Sequence, residues 1–456
     1  MATNIYRVHG VPDSTTFGNV GDLYVDLNTN GLYKCVNTDT DGRNHGYIVI
    51  YSGEGENTHY VWERIEGSSV EPKEVNFLDY DGSCLYAYTI AEAQALSALP
   101  CGPMHDGLVF QGWNAALEDV KSVTHPTNIG PVYCTDDGTT RLYVTLQEGR
   151  TSPMLGVCVS GAVTVDWGDG STPDTLTGTN ANTAVWTPNH NYVVPGNYVI
   201  RLTVNEGVMG FRGSSNPNEY SYILRQGSAS DTRNIAYLNS LKKVEIGDKT
   251  GIGPNAFRGC SSLKTVTIPN GFEGIGLHAF AGCHNLRSIT IPIGTMQIDS
   301  NAFSDCYSLY AISIPTQIGM IMHFAFNNCH SLQYIGMPEF IGFAGTNMFV
   351  NCTSLSSVTI PNGVTSIGVS SFAGCSSLSS VTVPNGITSI GSSAFDSCYS
   401  MRVYDFTRCT AIPVLQNTNA FTGISDDCEI RVPTSLYDEW VTANGWTTYA
   451  NYIKAY

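Results

Sequence analysis

Residues 367–386 read IGVSSFAGCSSLSSVTVPNG, and this stretch decides the fold because its pattern recurs along the second half of the chain. Cysteine returns at intervals of 23 residues without insertion or deletion. Phenylalanine keeps the same interval three residues before each cysteine, and leucine or methionine follows three residues after it. A fixed period with recurring apolar positions predicts a solenoid, in which each repeat forms one rung and packs against its neighbours.

Two columns of side chains are expected to fill the inside of this solenoid. The cysteine ladder contains Cys260, Cys283, Cys306, Cys329, Cys352, Cys375 and Cys398. The phenylalanine ladder contains Phe257, Phe280, Phe303, Phe326, Phe349, Phe372 and Phe395. A free cysteine behaves as a small apolar residue with a weak donor, which suits one position per rung. Stacked rungs lie about 4.8 Å apart with their side chains parallel, so we expect reduced, buried thiols rather than disulfides.

The repeat unit closely resembles the BspA-like leucine-rich repeats of bacterial surface and adhesion proteins. The resemblance covers residues 236–427 and rests on the Phe, Cys, Leu, Val and Pro-Asn-Gly positions of the quoted stretch. Residues 428–456, which contain Trp440 and Trp446, resemble the C-terminal cap of that family. A helical cap is expected there because the last rung would otherwise expose its apolar side chains.

Residues 1–66 are predicted to form a small β module. Alternating apolar and polar residues flank the sequence NTNG at 28–31, which predicts a hairpin. The pattern GDLYVD, followed by NGLYKC and YVWERI, resembles a short module of bacteriophage tail and fibre proteins. This resemblance implies that the module attaches the chain to other virion proteins.

Residues 72–125 are expected to form a second module, and residues 126–160 are expected to be connecting strands. The stretch VNFLDYDG at 75–82 is followed by two prolines and by GLVFQGW at 107–113. This order resembles the B-repeat modules of listerial surface proteins, which implies a β-grasp-like fold.

Residues 161–206 resemble a polycystic-kidney-disease (PKD) type β-sandwich, on the strength of DWGDGS at 166–171 and HNYVVPGNYVIRLTV at 190–204. Asp166 and Asp169 are expected to accept hydrogen bonds from turn N–H groups. A calcium site is not expected, because calcium takes six to eight oxygen ligands and the segment has few acidic residues. Residues 207–235 are predicted to be a linker.

The predicted fold class is therefore mainly β and multidomain. It combines the small N-terminal β module, the β-grasp-like module, the PKD-type β-sandwich and a C-terminal leucine-rich-repeat solenoid with a helical cap.

Composition limits the classes of partner. The net charge is −17 and only 13% of the residues are charged. Nucleic acids and anionic membranes both require a basic surface, so neither is expected as a partner. No apolar run reaches the roughly 18 residues of a membrane span, and residues 1–10 do not resemble a secretory signal.

No catalytic, metal or cofactor site is expected. The sequence contains no Gly-x-Ser-x-Gly, Walker or His-Glu-x-x-His motif. Acidic residues are sparse in the repeats, which disfavours the paired carboxylates of a glycosidase.

Function is expected at the outward positions of the repeats, where the sequence varies. The third and fourth repeats vary most, and aromatic side chains are enriched at binding surfaces. The candidate binding residues are Tyr310, His323, Phe324, Tyr334 and Phe340.

These features favour a phage tail or head fibre at the virion surface, which binds a host glycan or protein through the repeats. The alternatives are a BspA-type adhesin on the bacterial cell surface and a glycan-degrading tail spike. The oligomeric state stays open, with a homotrimer as one option.

Overall fold

The computed structural model describes residues 72–213, 223–225, 237–337 and 345–456, together with the backbone of five strands before residue 72. Those five strands are β1 (Ile5–Val8), β2 (Leu23–Asp26), β3 (Gly31–Asn37), β4 (Val49–Tyr51) and β5 (His59–Arg64). They form one sheet in the order β1-β2-β3-β5-β4. β2 and β3 are antiparallel, with Asp26 opposite Gly31, on either side of the predicted turn.

Residues 72–135 form a small module, called the docked module below. Its elements are β6 (Val75–Leu78), β7 (Cys84–Tyr88), α1 (Ile90–Gln94), β8 (Leu108–Trp113), α2 (Leu117–Lys121), β9 (Thr127–Ile129) and β10 (Pro131–Thr135). Helix α1 begins at Ile90 because the Thr89 and Glu92 side chains form a capping box. Phe77 and Trp113 meet edge-on in the core, with ring centroids 4.9 Å apart.

The docked module extends past its expected end at residue 125. β9 pairs in parallel with β6, and β10 pairs antiparallel with β8. The expected connecting segment 126–160 is corrected accordingly, because β9 and β10 belong to the module. The paired strands lie far apart in the sequence, so local sequence patterns could not predict their pairing.

A continuous sheet of eight strands joins the middle of the chain to the repeats. Its strands are β11 (Thr140–Leu146), β12 (Met154–Asp166), β13 (Asp174–Trp186), β14 (Gly196–Phe211), β15 (Leu224–Arg225), β16 (Leu241–Glu245), β17 (Thr250–Ile252) and β18 (Thr265–Thr267). The main order is β13-β12-β14-β11-β16-β18, with β15 beside β12 and β17 beside β14. β11 pairs antiparallel with both β14 and β16, so it connects the long strands to the first rung.

The expected PKD-type domain at 161–206 does not stand apart from its neighbours. β12 crosses the expected boundary at residue 160, and β14 crosses the one at residue 206 into the expected linker 207–235. Both strands carry register shifts, one of which falls between Ala162 and Val163. The buried side chains of these strands belong to the same apolar core as the repeats. The sequence motif marks the turn between β12 and β13, and it does not mark a closed domain.

The repeats form the predicted solenoid, and each fully described repeat contributes two short strands. The first column continues from β18 as β20 (Ser288–Thr290), β22 (Ala311–Ser313), β24 (Tyr334–Ile335), β25 (Ser357–Thr359), β27 (Ser380–Thr382), β29 (Val403–Asp405) and β31 (Glu429–Val432). The second column continues from β17 as β19 (Gly274–Ile275), β21 (Gln297–Ile298), β23 (Met320–Ile321), β26 (Ser366–Ile367), β28 (Ser389–Ile390) and β30 (Val414–Leu415). Paired strands of successive rungs are parallel, and Val358 lies opposite Val381, one repeat later.

The cysteine ladder is buried along its whole length. From Cys283 onwards, each thiol donates a hydrogen bond to the carbonyl oxygen of the phenylalanine one rung earlier, at 3.1–3.3 Å. Burial raises the pKa of every thiol in the ladder, to about 12 for Cys352. The thiols therefore face carbonyl groups rather than one another, as expected for reduced cysteines that act as small apolar residues with a weak donor.

The phenylalanine ladder is a stack of nearly parallel rings. Neighbouring centroids are 5.3–5.6 Å apart, with interplanar angles of at most 15°. The stack continues beyond the repeat pattern, because Phe211 on β14 packs on Phe257 and Phe421 packs on Phe395. One apolar column thus runs from the long sheet to the end of the solenoid.

The C-terminal segment closes the last rung. It contains a 3-10 helix (Thr434–Leu436), α3 (Tyr437–Thr442), a second 3-10 helix (Trp446–Tyr452) and β32 (Ile453–Ala455). Trp440 and Trp446 are buried against Phe406, each with centroids 5.5 Å away. β32 adds a further parallel strand beside β31, so the segment combines short helices with a strand.

Candidate binding surface of the repeats

The docked module covers the outward face of the first strand column in the early rungs. The Ser288 hydroxyl donates to the Tyr80 carbonyl oxygen at 2.8 Å, and Asn114 Nδ2 donates to the Ile291 carbonyl oxygen at 3.0 Å. Gly82 has a φ of +88°, and a Cβ there would overlap the Tyr310 hydroxyl. Its backbone conformation and the close approach of Tyr310 both therefore require glycine at this position.

Tyr310 and Tyr334 lie in this internal interface. The Tyr310 hydroxyl donates to the Asp81 carbonyl oxygen at 3.2 Å. The Tyr334 hydroxyl accepts from Asn76 Nδ2 at 2.7 Å and contacts Asn128 Oδ1. The expectation that these two tyrosines form an external binding surface is corrected, because they point away from the solenoid core but into another part of the same chain.

His323 and Phe324 are exposed on the second strand column, just after the end of β23. The backbone N–H of Thr346 donates to His323 Nδ1 at 3.0 Å. Phe340, the remaining candidate, lies outside the described residues.

Phe324 has a φ of +58°, a left-handed conformation that bulky residues rarely adopt. A positive φ recurs at this position in the other described rungs. The residues there are Asn255, His278, Asn301, Asn347, Ser370 and Ser393. Asparagine tolerates this conformation far better than phenylalanine does. Phe324 is nevertheless 37% exposed, so a substantial part of it is open to solvent.

Two exposed methionines lie on or beside the same strand column as Phe324. Met296 is 62% exposed and Met320 is 52% exposed. They lie on neighbouring rungs, because the Met320 N–H donates to the Met296 carbonyl oxygen at 3.3 Å. We call Met296, Met320, His323 and Phe324 the Met-Phe patch. Exposed methionine is typical of adaptable binding surfaces.

A column of exposed rings follows the turn after the cysteine ladder. Tyr307 stacks between His284 and His330, with centroids 4.6 Å and 5.0 Å away. Burial and the charge of Asp305 raise the pKa of Tyr307. The rings cover one another's faces, so the column presents ring edges to solvent. This column was not predicted, although its signal is present in the sequence as three aromatic residues directly after successive ladder cysteines.

An amide ladder lies beside the ring column, at the position just before each cysteine. Asn328 Nδ2 donates to Asp305 Oδ1 at 2.7 Å, and Asn351 Nδ2 donates to Asn328 Oδ1 at 2.9 Å. All three residues have positive φ, which asparagine and aspartate accommodate. These hydrogen bonds tie consecutive rungs together, so the ladder has a structural role.

Asp166 and Asp169 accept turn N–H groups, as expected. Gly168 N donates to Asp166 Oδ1 at 2.9 Å, and Ser171 N donates to Asp169 Oδ1 at 3.0 Å. Asp169 also lies 2.8 Å from His190 Nε2. Although burial opposes the shift, hydrogen bonds from Ser171 and His190 lower the pKa of Asp169 to about 2.

Within residues 72–213, 223–225, 237–337 and 345–456, no group of three or more His, Cys, Asp or Glu side chains could hold a metal ion. In the same part of the chain, no helix has the length and apolar character of a membrane span.

A family model described as the BspA type leucine-rich repeat region matches the chain in six copies, over residues 233–356 and 343–438. No curated protein matches the chain. Similar solved structures include the T. pallidum leucine-rich repeat protein TpLRR, with 24% identity over 41% of this chain and 84% of that chain, and a TM-score of 0.32.

Two further solved structures are similar. A leucine-rich repeat protein from Bacteroides ovatus has 22% identity over 47% of this chain and 66% of that chain, with a TM-score of 0.34. A leucine-rich cell surface protein from Faecalibacterium prausnitzii has 22% identity over 52% of this chain and 87% of that chain, with a TM-score of 0.28. The solenoid of this chain, from residue 233 to residue 438, is thus matched by the BspA type leucine-rich repeat.

Proposed function

We propose that this protein is an adhesive surface protein of the BspA type, which binds a protein partner through the Met-Phe patch. The observation that carries the proposal is Phe324, a large apolar side chain kept exposed at a backbone position that disfavours it. Residues held in sparsely populated backbone conformations cluster at functional sites.

The chemistry of the Met-Phe patch favours a protein over a glycan. Its most exposed apolar members are the thioether side chains of Met296 and Met320, which offer apolar contact and few hydrogen bonds. A sugar requires many hydrogen-bonding groups, whereas a protein surface can present apolar side chains that displace water from the patch. The rigid solenoid holds the patch in place, which reduces the ordering cost of binding.

The family match is to the BspA type leucine-rich repeat. It favours the adhesin alternative over the phage fibre, because repeats of this type are those of bacterial surface and adhesion proteins. The virion placement and the attachment of residues 1–66 to other virion proteins receive no support from the similar proteins. A homotrimer and a glycan-degrading activity remain hypotheses.

The test uses Phe324→Asn, which installs the residue found at the same position in two neighbouring rungs. Inert beads carrying the full chain are allowed to settle on a cultured epithelial layer, with and without prior trypsin treatment of the cells. A second arm oxidises the cell-surface glycans with periodate. We expect F324N to reduce bead attachment about fivefold or more, as for a hot-spot residue, and to leave the melting temperature unchanged or higher.

The matched control is Val414→Asn, which removes another exposed apolar side chain (65% exposed) from β30 in the same strand column. V414N should attach like the unmodified protein. Trypsin should abolish attachment and periodate should leave it intact. Equal attachment of F324N and V414N would refute the patch, and loss after periodate alone would reassign it to a glycan.

A further inference from the structure

A basic column crosses the first rungs of this acidic protein. Lys242, Lys264 and Arg287 occupy equivalent places on three successive rungs. The Lys264 N–H donates to the Lys242 carbonyl oxygen at 2.9 Å, and the Arg287 N–H donates to the Lys264 carbonyl oxygen at 3.3 Å. One cation therefore follows another at the rung spacing of about 4.8 Å.

These cations differ from a neighbouring lysine, which forms an ion pair among the residues that the structure describes. Lys243 Nζ lies 2.7 Å from Glu245 Oε1, whereas Lys242, Lys264 and Arg287 form no ion pair in the described part of the chain. Burial, together with the charge of Lys264, lowers the pKa of Lys242. The chain has 39 acidic residues, yet three positive charges lie side by side in this column. Their mutual repulsion costs stability unless an anion binds.

A polar cleft opens at the start of the basic column. Its volume is about 270 Å³, and Arg150 stands in its lining together with Lys242. Arg150 is exposed and forms no ion pair within the described residues. Hydroxyl and amide groups supply most of the remaining lining, from Thr145, Gln147, Tyr237, Asn239, Ser240 and Ser262.

We propose that the cleft and the basic column together bind a linear anionic polysaccharide. Hydroxyl and amide side chains suit the hydroxyl groups of sugars, because they both donate and accept hydrogen bonds. The rung spacing is close to the length of one sugar ring, so charges that recur along such a polymer can meet successive cations. Carboxylates and sulfates both provide this charge.

Other polyanions fit less well. Duplex DNA carries one charge per about 1.7 Å of its axis, which is far denser than one cation per rung. An anionic membrane would present a broad charged plane to a protein whose net charge is −17. The site is separate from the Met-Phe patch, so binding there does not depend on the proposed protein partner.

The test measures binding of the full chain to polygalacturonate and to dextran sulfate, with neutral dextran as the uncharged control, by biolayer interferometry at low salt. Short single-stranded DNA and phosphatidylglycerol vesicles represent the other anion classes. We expect binding to at least one of the two anionic polysaccharides and none to dextran. The polymer that binds identifies carboxylate or sulfate as the charge recognised, and raising the salt concentration should weaken binding.

The variant Lys264→Gln/Arg287→Gln removes two exposed cations of the column. It should bind the polysaccharide roughly tenfold or more weakly at low salt, with an unchanged melting temperature. Arg150→Gln, in the lining of the cleft, should weaken binding in the same direction. The matched control Lys249→Gln/Arg408→Gln removes two exposed cations elsewhere, with the same change in net charge, and should bind normally.

Three results would overturn the inference. The first is no binding to either anionic polysaccharide. The second is an equal loss of affinity in the two double variants, which would indicate a response to net charge alone. The third is binding to DNA or vesicles that matches or exceeds binding to the polysaccharides.

Discussion

Replacing Tyr334 by phenylalanine should loosen the docked module from the repeats. The Tyr334 hydroxyl is the polar atom that joins β24 to Asn76 on β6 and Asn128 on β9. Both asparagines are buried in the folded protein. Y334F keeps the ring and its packing, and it removes only the oxygen.

The expected cost follows from the hydrogen bonds that are lost. An unsatisfied buried polar group costs about 1–3 kcal/mol. Asn76 Nδ2 retains its bond to the Lys73 carbonyl oxygen at 2.9 Å, whereas Asn128 Oδ1 keeps only a long contact with Asn76 Nδ2 at 3.5 Å, so the loss falls mainly on Asn128. We therefore expect roughly 2 kcal/mol, which corresponds to a local opening about thirtyfold more frequent.

Hydrogen exchange of the amides in β6 and β9 measures that opening directly. The control is Tyr399→Phe, because Tyr399 is 63% exposed and its hydroxyl contacts only Ser397 Oγ, at 3.2 Å, among the described hydrogen bonds. Y399F should exchange like the unmodified protein. If Y334F and Y399F exchange alike, the module does not depend on this contact, and Tyr334 becomes available again for external binding.

Three further predictions concern the core and the turn of the long sheet. Phe303→Ala interrupts a buried stack and should lower the free energy of unfolding, measured in urea, by about 3–5 kcal/mol. A loss below about 1 kcal/mol would mean that neighbouring rungs close the gap. Under native conditions iodoacetamide should modify the exposed Cys101 and spare the cysteine ladder, because the ladder thiols are buried and have raised pKa values. Adducts on ladder cysteines of the folded protein, detected by mass spectrometry, would contradict this prediction. Asp169→Asn should lower the melting temperature at pH 5 but not near pH 2. The lowered pKa of Asp169 in the folded protein contributes stability that is fully present above the ordinary value of 3.8 and is lost as the pH falls through about 2. A difference in melting temperature that does not depend on pH would point to packing instead.

Periodicity made the solenoid predictable from the sequence. Each ladder residue meets an identical neighbour one rung away, so local sequence and three-dimensional contact share one period. The burial of Cys306 and Phe303 could be read in this way without knowledge of any other part of the chain.

Contacts between modules could not be predicted in the same way. Tyr310 and Tyr334 occupy outward positions, and the sequence does not record whether solvent or another module lies outside them. Pairing of β9 with β6, and of β14 with β17, joins segments that share no period. Phe324 was recognised as a departure from the repeat, but its unusual backbone conformation became visible only in the structure.

The docked module also has a mechanical consequence. Its hydrogen bonds reach from Asn270 in one rung to Tyr334 several rungs later, so it braces the early rungs like a splint. A force pulling on the two ends of the repeats should therefore open the C-terminal rungs first, while the braced half and its basic cleft keep their shape under tension.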